Sequence, residues 1–159
     1  FLFGCWTGIS FIDIKNLTTD NIVEMNGALW IVSKRQKTGV PFQVKLMDIP
    51  MQIIKRYEPF RKDKRLFNIG SLDMVNKRIK SIARKCGIEK PVSFHLSRHS
   101  FAVMALNYGM PIESVSKILG HTDIKTTQIY LKGFELKERT EVNRMNLSYV
   151  KRCGSGLYV

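Results

Sequence analysis

The sequence predicts a mainly α fold carrying a small three-stranded antiparallel β-meander (α+β), and three observations point there. Apolar side chains recur at helical spacing over residues 1 to 17 and again from Pro50 onward. Between these stretches, NIVEM, ALWIVSK and PFQVKLM are short β-branched or aromatic runs, separated by Asn26-Gly27 and by Thr38-Gly39, residues that suit hairpin turns. The length of 159 residues suits one domain with a proper hydrophobic core and is short for two.

Taken in order, the first helix breaks at Thr7-Gly8, and a tight turn leads into a second short helix through Asp13 to Leu17. The three strands follow, with Lys34 to Gly39 forming the second hairpin. Helical spacing returns at Pro50 to Tyr57, before a basic, proline-marked connector, KRYEPFRKDKR. Ser71 caps a helix whose apolar residues are Leu72, Val75, Ile79, Ile82 and Cys86; Lys77, Arg78, Lys80, Arg84 and Lys85 fall outside that stripe, and Gly87 ends it. A helix from about His95 to Tyr108 stops at Gly109, Pro111 opens the next through Leu119, and Gly120 closes that one. A further short helix is expected to hold Tyr130, and a last one to span Glu135 to Leu147 ahead of a frayed tail, CGSGLYV. There is no internal repeat.

Composition narrows the function. No apolar run approaches the roughly 18 residues of a membrane span, so no membrane partner is expected. The opening FLFGCWTG lacks the basic region and cleavage site of a signal peptide; it starts in mid-pattern without an initiator methionine, so a preceding domain is expected. Cys5, Cys86 and Cys153 are odd in number and scattered, which supports neither a disulfide framework nor a zinc cluster and fits the reducing cytoplasm. A surplus of 26 Lys+Arg over 13 Asp+Glu leaves +13 and favours a polyanionic partner, foremost nucleic acid, because each neutralised phosphate releases counterions. A merely basic protein or a membrane-surface binder is the plainer alternative.

All three histidines lie at His95, His99 and His121. On a helix His95, Arg98 and His99 share one face, where a guanidinium and two imidazoles repel each other unless something anionic sits there. A core role for His99 is the bland reading. Zinc is disfavoured, because HLSRH has arginine where a zinc-protease helix keeps its glutamate and no carboxylate is near, so no metal site is assigned. Tyr130, nine positions after His121, changes the character of the set. A phenol is a poor nucleophile near its free pKa of about 10 and needs neighbouring cations and donors, which Arg98, His95 and His121 supply. If the attacked centre is a DNA phosphodiester, a bidentate guanidinium with imidazole donors matches the charge that builds on its nonbridging oxygens. No cofactor is then required.

HLSRH at 95 to 99, LGH at 119 to 121 and TTQIY ending at Tyr130 resemble the His-x-x-Arg, Leu-Gly-His and nucleophilic tyrosine boxes of the tyrosine recombinases, or phage-type integrases. The order and spacing agree over nearly the whole chain, including Thr7-Gly8 and the Lys37-Thr38-Gly39 of the hairpin. The resemblance implies the fold of the DNA breaking-rejoining enzymes' catalytic domain over residues 1–159, with an N-terminal core-binding domain outside this chain. It implies that Tyr130 attacks the scissile phosphate to give a 3′-phosphotyrosyl bond and a free 5′-hydroxyl. Arg98 holds a nonbridging oxygen, His95 assists proton transfer with the tyrosine, His121 donates a hydrogen bond to the phosphate, and Lys37 protonates the leaving 5′-oxygen. It also implies double-stranded DNA as partner, a homotetramer on that DNA, accessory DNA-bending proteins and a bacterial, nucleoid-associated setting, typically for an integrase of a mobile element. For Lys37 alone a solvated turn lysine is the plainer reading.

One position departs from the pattern. Where the family places its first arginine, in TGISFID, this chain has Ser10, which cannot clamp a phosphate bidentately. Arg35 is the expected compensating cation, on the ground that in an extended strand it faces the same side as Lys37. Some integrases of mobile elements in anaerobic gut bacteria resemble this variant and lack that arginine; an Arg-to-Ser change made to trap a complex and a binder that has lost cleavage are the competing explanations. Asp13, at the box's acidic position, orients neighbours rather than reacts. Lys77, Arg78, Lys80 and Arg84, with the connector, are the expected phosphate track, and a solvated charged face is the alternative. Two other classes stay open: Leu106 to Tyr130 also reads as a helix-turn-helix DNA reader without catalysis, and a type IB topoisomerase shares the chemistry without site choice.

Overall fold

The structure of the protein, a computed structural model, describes residues 1–129. Tyr130, the expected last helix over Glu135 to Leu147, Cys153 and the tail lie outside the described residues.

Helix α1 (Leu2–Thr7) ends at Gly8, whose φ of 66° supplies the left-handed cap. Helix α2 (Phe11–Asn16) is capped by Ser10, whose hydroxyl accepts from the Asp13 amide. After a short 3₁₀ turn come strands β1 (Ile22–Met25), β2 (Ala28–Lys34) and β3 (Pro41–Lys45), ordered β1-β2-β3 and antiparallel throughout. Ile22 pairs with Ile31, and Ile31 with Val44, so these three share the face turned to the core. The β1–β2 turn is the expected Asn26-Gly27, with φ of 51° and 71°.

Helix α3 (Asp48–Tyr57) leads into the connector, which is tied back to the end of α2: the Leu66 amide donates to Leu17 O at 2.9 Å. Helices α4 (Leu72–Lys85), α5 (His95–Asn107), α6 (Ile112–Leu119) and the short α7 (Lys125–Gln128) complete the described chain. The main core gathers Phe3, Ile9, Leu17, Ile31, Leu66 and Phe94 from α1, the residues flanking α2, the sheet, the end of the connector and the start of α5. A second cluster of Phe101, Ala102, Ala105, Val115 and Leu119 welds α5 to α6, and Ile118 bridges the two.

Helix α4 corrects one expectation. Val75 and Ile79 of its apolar stripe do pack on the main core, but Leu72 and Ile82 are 44% and 61% exposed and Cys86 is exposed as well. The stripe is therefore covered unevenly: Leu72 lies half exposed at the rim of a pocket, Ala83 near the C-terminus is buried, and Ile82 and Cys86 face outward.

Candidate active site

Arg98 occupies the first turn of α5 and is 9% exposed. Its Nη1 donates to Gly8 O at 2.7 Å and its Nη2 to Leu119 O, so one guanidinium joins the turn after α1 to the end of α6. These bonds use part of a five-donor fork.

Arg35 is not in an extended strand beside Lys37, as expected. β2 ends at Lys34, and the chain turns at once: Gly39 N donates to Arg35 O at 2.8 Å, and Arg35 N to Val40 O at 2.8 Å. The turn sends the two side chains apart. Lys37 stands exposed at the hairpin tip, whereas Arg35 is 5% exposed. The Arg35 Nη1 reaches Asp13 Oδ2 at 2.9 Å, its Nη2 donates to Ile118 O, and its guanidinium carbon lies 4.0 Å from the centroid of the Phe42 ring. Burial weakens its hold on its proton, and the hydrogen bond and charge of Asp13 act in the opposite sense. Among the described residues its buried Nε has no hydrogen-bond partner.

Asp13 organises this side of the site. Its Oδ2 accepts from both the Ser10 hydroxyl, at 2.7 Å, and Arg35, while Oδ1 accepts from the Gln36 amide at 2.8 Å. Ser10, where the family's pattern has arginine, therefore touches the same carboxylate oxygen that holds Arg35.

Both guanidinium groups end on neighbouring carbonyls, Ile118 O and Leu119 O, at the C-terminus of α6. Those carbonyls lack partners within the helix and sit at its negative end, which suits cations. Gly120 caps that end with φ of 63°, and a Cβ there would stand 2.7 Å from Arg35 Nε. The Leu-Gly of the Leu-Gly-His box is thus the surface against which both arginines lie.

His121 follows directly. Its Nδ1 is 2.9 Å from the Thr127 hydroxyl. Burial, then the charges of Arg98, Arg35 and His95, lower its pKa from 6.5 to about 4, so the ring is neutral at pH 7. The same electrostatic reach places His95, Arg98, Arg35 and His121 in one neighbourhood. His99 is lowered too, by burial first and by His95 second. Ser10, Phe11, Leu72, Phe94, His95 and Arg98 line one shallow pocket.

Of the residues singled out in the sequence, Ser10, Arg35, His95, Arg98 and His121 come together. Lys37 is exposed in the turn two residues beyond Arg35, and Tyr130 lies outside the described residues. Lys77, Arg78, Lys80 and Arg84 are all exposed on α4, whose first residue, Leu72, lines the pocket; Lys77 pairs with Asp73 at 2.9 Å. Thr127 and Phe42 were not anticipated. Thr127 stands inside TTQIY, but nothing in that string says that its hydroxyl meets a histidine six residues earlier. Among the described residues no group of three or more His, Cys, Asp or Glu could hold a metal ion, and no helix is long and apolar enough to cross a membrane.

Comparison with known proteins finds relatives of this chain. The phage integrase family matches residues 3–135. Tyrosine recombinase XerD of Listeria innocua is 31% identical over 142 residues, which cover 82% of this chain and 48% of that protein. Tyrosine recombinase XerA of Saccharolobus solfataricus is 33% identical over 126 residues, 78% of this chain and 41% of its own. The chain therefore spans less than half the length of these relatives. In fold it is similar to the crystal structure of XerA recombinase (TM-score 0.71, 23% identity, 89% of this chain and 54% of that one). It is likewise similar to XerH recombinase bound to palindromic difH substrate in a post-cleavage complex (TM-score 0.72, 22% identity, 89% and 42%). The catalytic domain of bacteriophage HP1 integrase superposes with a TM-score of 0.61 at 23% identity over 82% of this chain and 73% of its own. With a match running over most of its length, and with the helices and three-stranded sheet of the recombinase catalytic domains, the chain belongs to the phage integrase family, that of the tyrosine recombinases.

Proposed function

We propose that this chain is the catalytic domain of a site-specific DNA recombinase, of the integrase kind that mobile elements carry, and that it cuts and rejoins duplex DNA through Tyr130. The tyrosine oxygen bonds to the scissile phosphorus as the bond from phosphorus to the 5′-oxygen breaks. His95 takes up the phenolic proton and Lys37, at the tip of the hairpin, delivers one to the departing 5′-oxygen. The phosphotyrosyl linkage keeps the energy of the broken bond, and attack by a 5′-hydroxyl reverses the step. Arg98 and His121 bind the nonbridging oxygens, and Arg35 takes the place of the arginine missing at Ser10.

One observation carries this reading: two buried guanidinium groups from distant parts of the chain lie against adjacent carbonyls at the end of α6, beside His121. The exposed cations of α4 and the connector are the phosphate track, and relatives of this fold have been seen on DNA, XerH on difH and the Tn1549 integrase on circular intermediate DNA. The working form is a DNA-bound tetramer, joined to an N-terminal domain outside this chain.

Incubating the protein with a nicked suicide substrate tests the proposal. A denaturant-resistant protein–DNA adduct is expected, and Tyr130→Phe should abolish it; an adduct that survives that change, or none from the wild-type protein, overturns it. Plasmid relaxation without strand exchange would instead indicate a topoisomerase. Ser10→Arg is expected to bring no large gain, because the new guanidinium would meet an Asp13 already paired with Arg35. A gain of about 10²-fold or more, the worth of one oxyanion donor, would mean that Arg35 does not fill the gap.

A further inference from the structure

Thr127 has no task in the chemistry proposed above, yet it is completely buried and its Oγ1 lies 2.9 Å from His121 Nδ1. A buried hydroxyl has one proton to place, and leaving it without an acceptor is costly. Among the described residues, the acceptor within hydrogen-bond reach of Thr127 is that ring nitrogen. Were Nδ1 to carry the proton instead, it would donate to Thr127, and among the described residues the hydroxyl's own proton would then have no acceptor.

The choice matters because of the charges around the ring. Burial, and then the charges of Arg98, Arg35 and His95, keep His121 neutral, and a neutral imidazole has a single N–H. With the proton on Nε2 the ring offers a donor on its far side. With the proton on Nδ1 it would turn a lone pair there and repel an anionic oxygen.

We propose that Thr127 is the positioning residue that fixes the His121 tautomer, accepting no proton from the ring but donating to Nδ1, so that Nε2–H is held ready as the hydrogen-bond donor to the scissile phosphate. This rests on the recombinase reading above and assigns a task to a residue three positions ahead of Tyr130 in the sequence. The hydroxyl acts on the ring as a ligand's outer partner acts on a metal-bound histidine, setting which nitrogen faces the chemistry.

Long-range ¹H–¹⁵N spectra of the histidine rings at pH 7 read the tautomer directly, with His121→Asn assigning the signal among three histidines. The wild-type ring should be the Nε2–H form. Thr127→Val, nearly isosteric, should shift the ring toward the Nδ1–H form and slow adduct formation by about 10- to 100-fold, with DNA affinity little changed. Thr127→Ser, which keeps the hydroxyl, should restore both the tautomer and the rate. A wild-type ring in the Nδ1–H form, or a Thr127→Val protein that keeps both the Nε2–H form and its cleavage rate, overturns the proposal. The tautomer is read without DNA, so absence of any adduct would count against the recombinase function and leave the assignment of Thr127 to be decided by the spectra.

Discussion

Two groups of cations in this protein have opposite surroundings. Arg35 and Arg98 are 5% and 9% exposed and each is pinned by contacts to distant segments, whereas Lys77, Arg78, Lys80 and Arg84 stand in solvent along one helix. A buried guanidinium requires partners, and those partners also set its direction. Arg35 has a carboxylate, a carbonyl and an aromatic face; Arg98 has two carbonyls. An exposed lysine is held by little: the pair between Lys77 and Asp73 leaves both side chains more than 70% exposed, at 76% and 73%. The first group is built to place charge at a point, the second to provide a field that salt can screen.

The sharpest way to break the contrast is Arg35→Met. It would strand the buried Asp13 carboxylate, and urea denaturation should show a loss of about 3–5 kcal/mol; a loss under about 1 kcal/mol would put Arg35 in the same class as the exposed cations. Changing Asp13 to Asn in the same protein should recover part of that loss, since the stranded charge is gone.

A step down in size is Gly120→Ala. A left-handed backbone conformation costs an L-residue about 1–2 kcal/mol, and the new Cβ would press on Arg35. Stability should fall by that amount or more, and adduct formation should fall further than stability explains because the guanidinium is displaced; an alanine protein with wild-type cleavage would show that Arg35 need not lie on this surface.

The third effect is that of pH. His121 has a pKa of about 4 when folded against 6.5 when unfolded, so between those values the unfolded chain binds more protons. Stability is therefore retained above about pH 6.5 and declines as the pH falls toward 4, with His99 acting in the same direction. His121→Gln should flatten the decline seen in denaturation midpoints between those pH values, and an unchanged slope would mean that neither burial nor the cation cluster depresses this ring's pKa.

The smallest changes in stability belong to α4. Replacing Lys77, Arg78, Lys80 or Arg84 singly by alanine should alter stability by no more than about 0.5 kcal/mol. Each that touches a phosphate should lower the slope of log affinity against log salt by about 0.9. A variant that keeps the full slope marks a cation that does not touch DNA.

Much of this was legible in the sequence, for reasons particular to each element. The hairpin at Asn26-Gly27, the cap at Ser71 and the stops at Gly8 and Gly120 depend on neighbours a few residues away, so local composition was enough. His95 and Arg98 could be placed together because three residues is nearly one helical turn. The burial of Arg35 was not legible. Its partners Asp13 and Ile118 stand 22 and 83 positions away, and the expectation for Arg35 carried the extended strand past Lys34, where both the apolar run and β2 end. The half-covered stripe of α4 fails for a related reason: periodicity shows which side of a helix is apolar, not how much of that side another element reaches.

By itself the sequence determined the succession of helices and strands, the excess of positive charge and the order of the boxes holding His95, Arg98, His121 and Tyr130, because spacing, capping and charge are properties of short stretches of chain. Only the tertiary structure decided that Arg35 turns inward to Asp13 while Lys37 stays outside, that both arginines rest on the end of α6, and that Thr127 meets His121. Those outcomes depend on burial and on contacts between remote segments, and a buried charge or hydroxyl takes its direction from whatever partner the fold brings within reach.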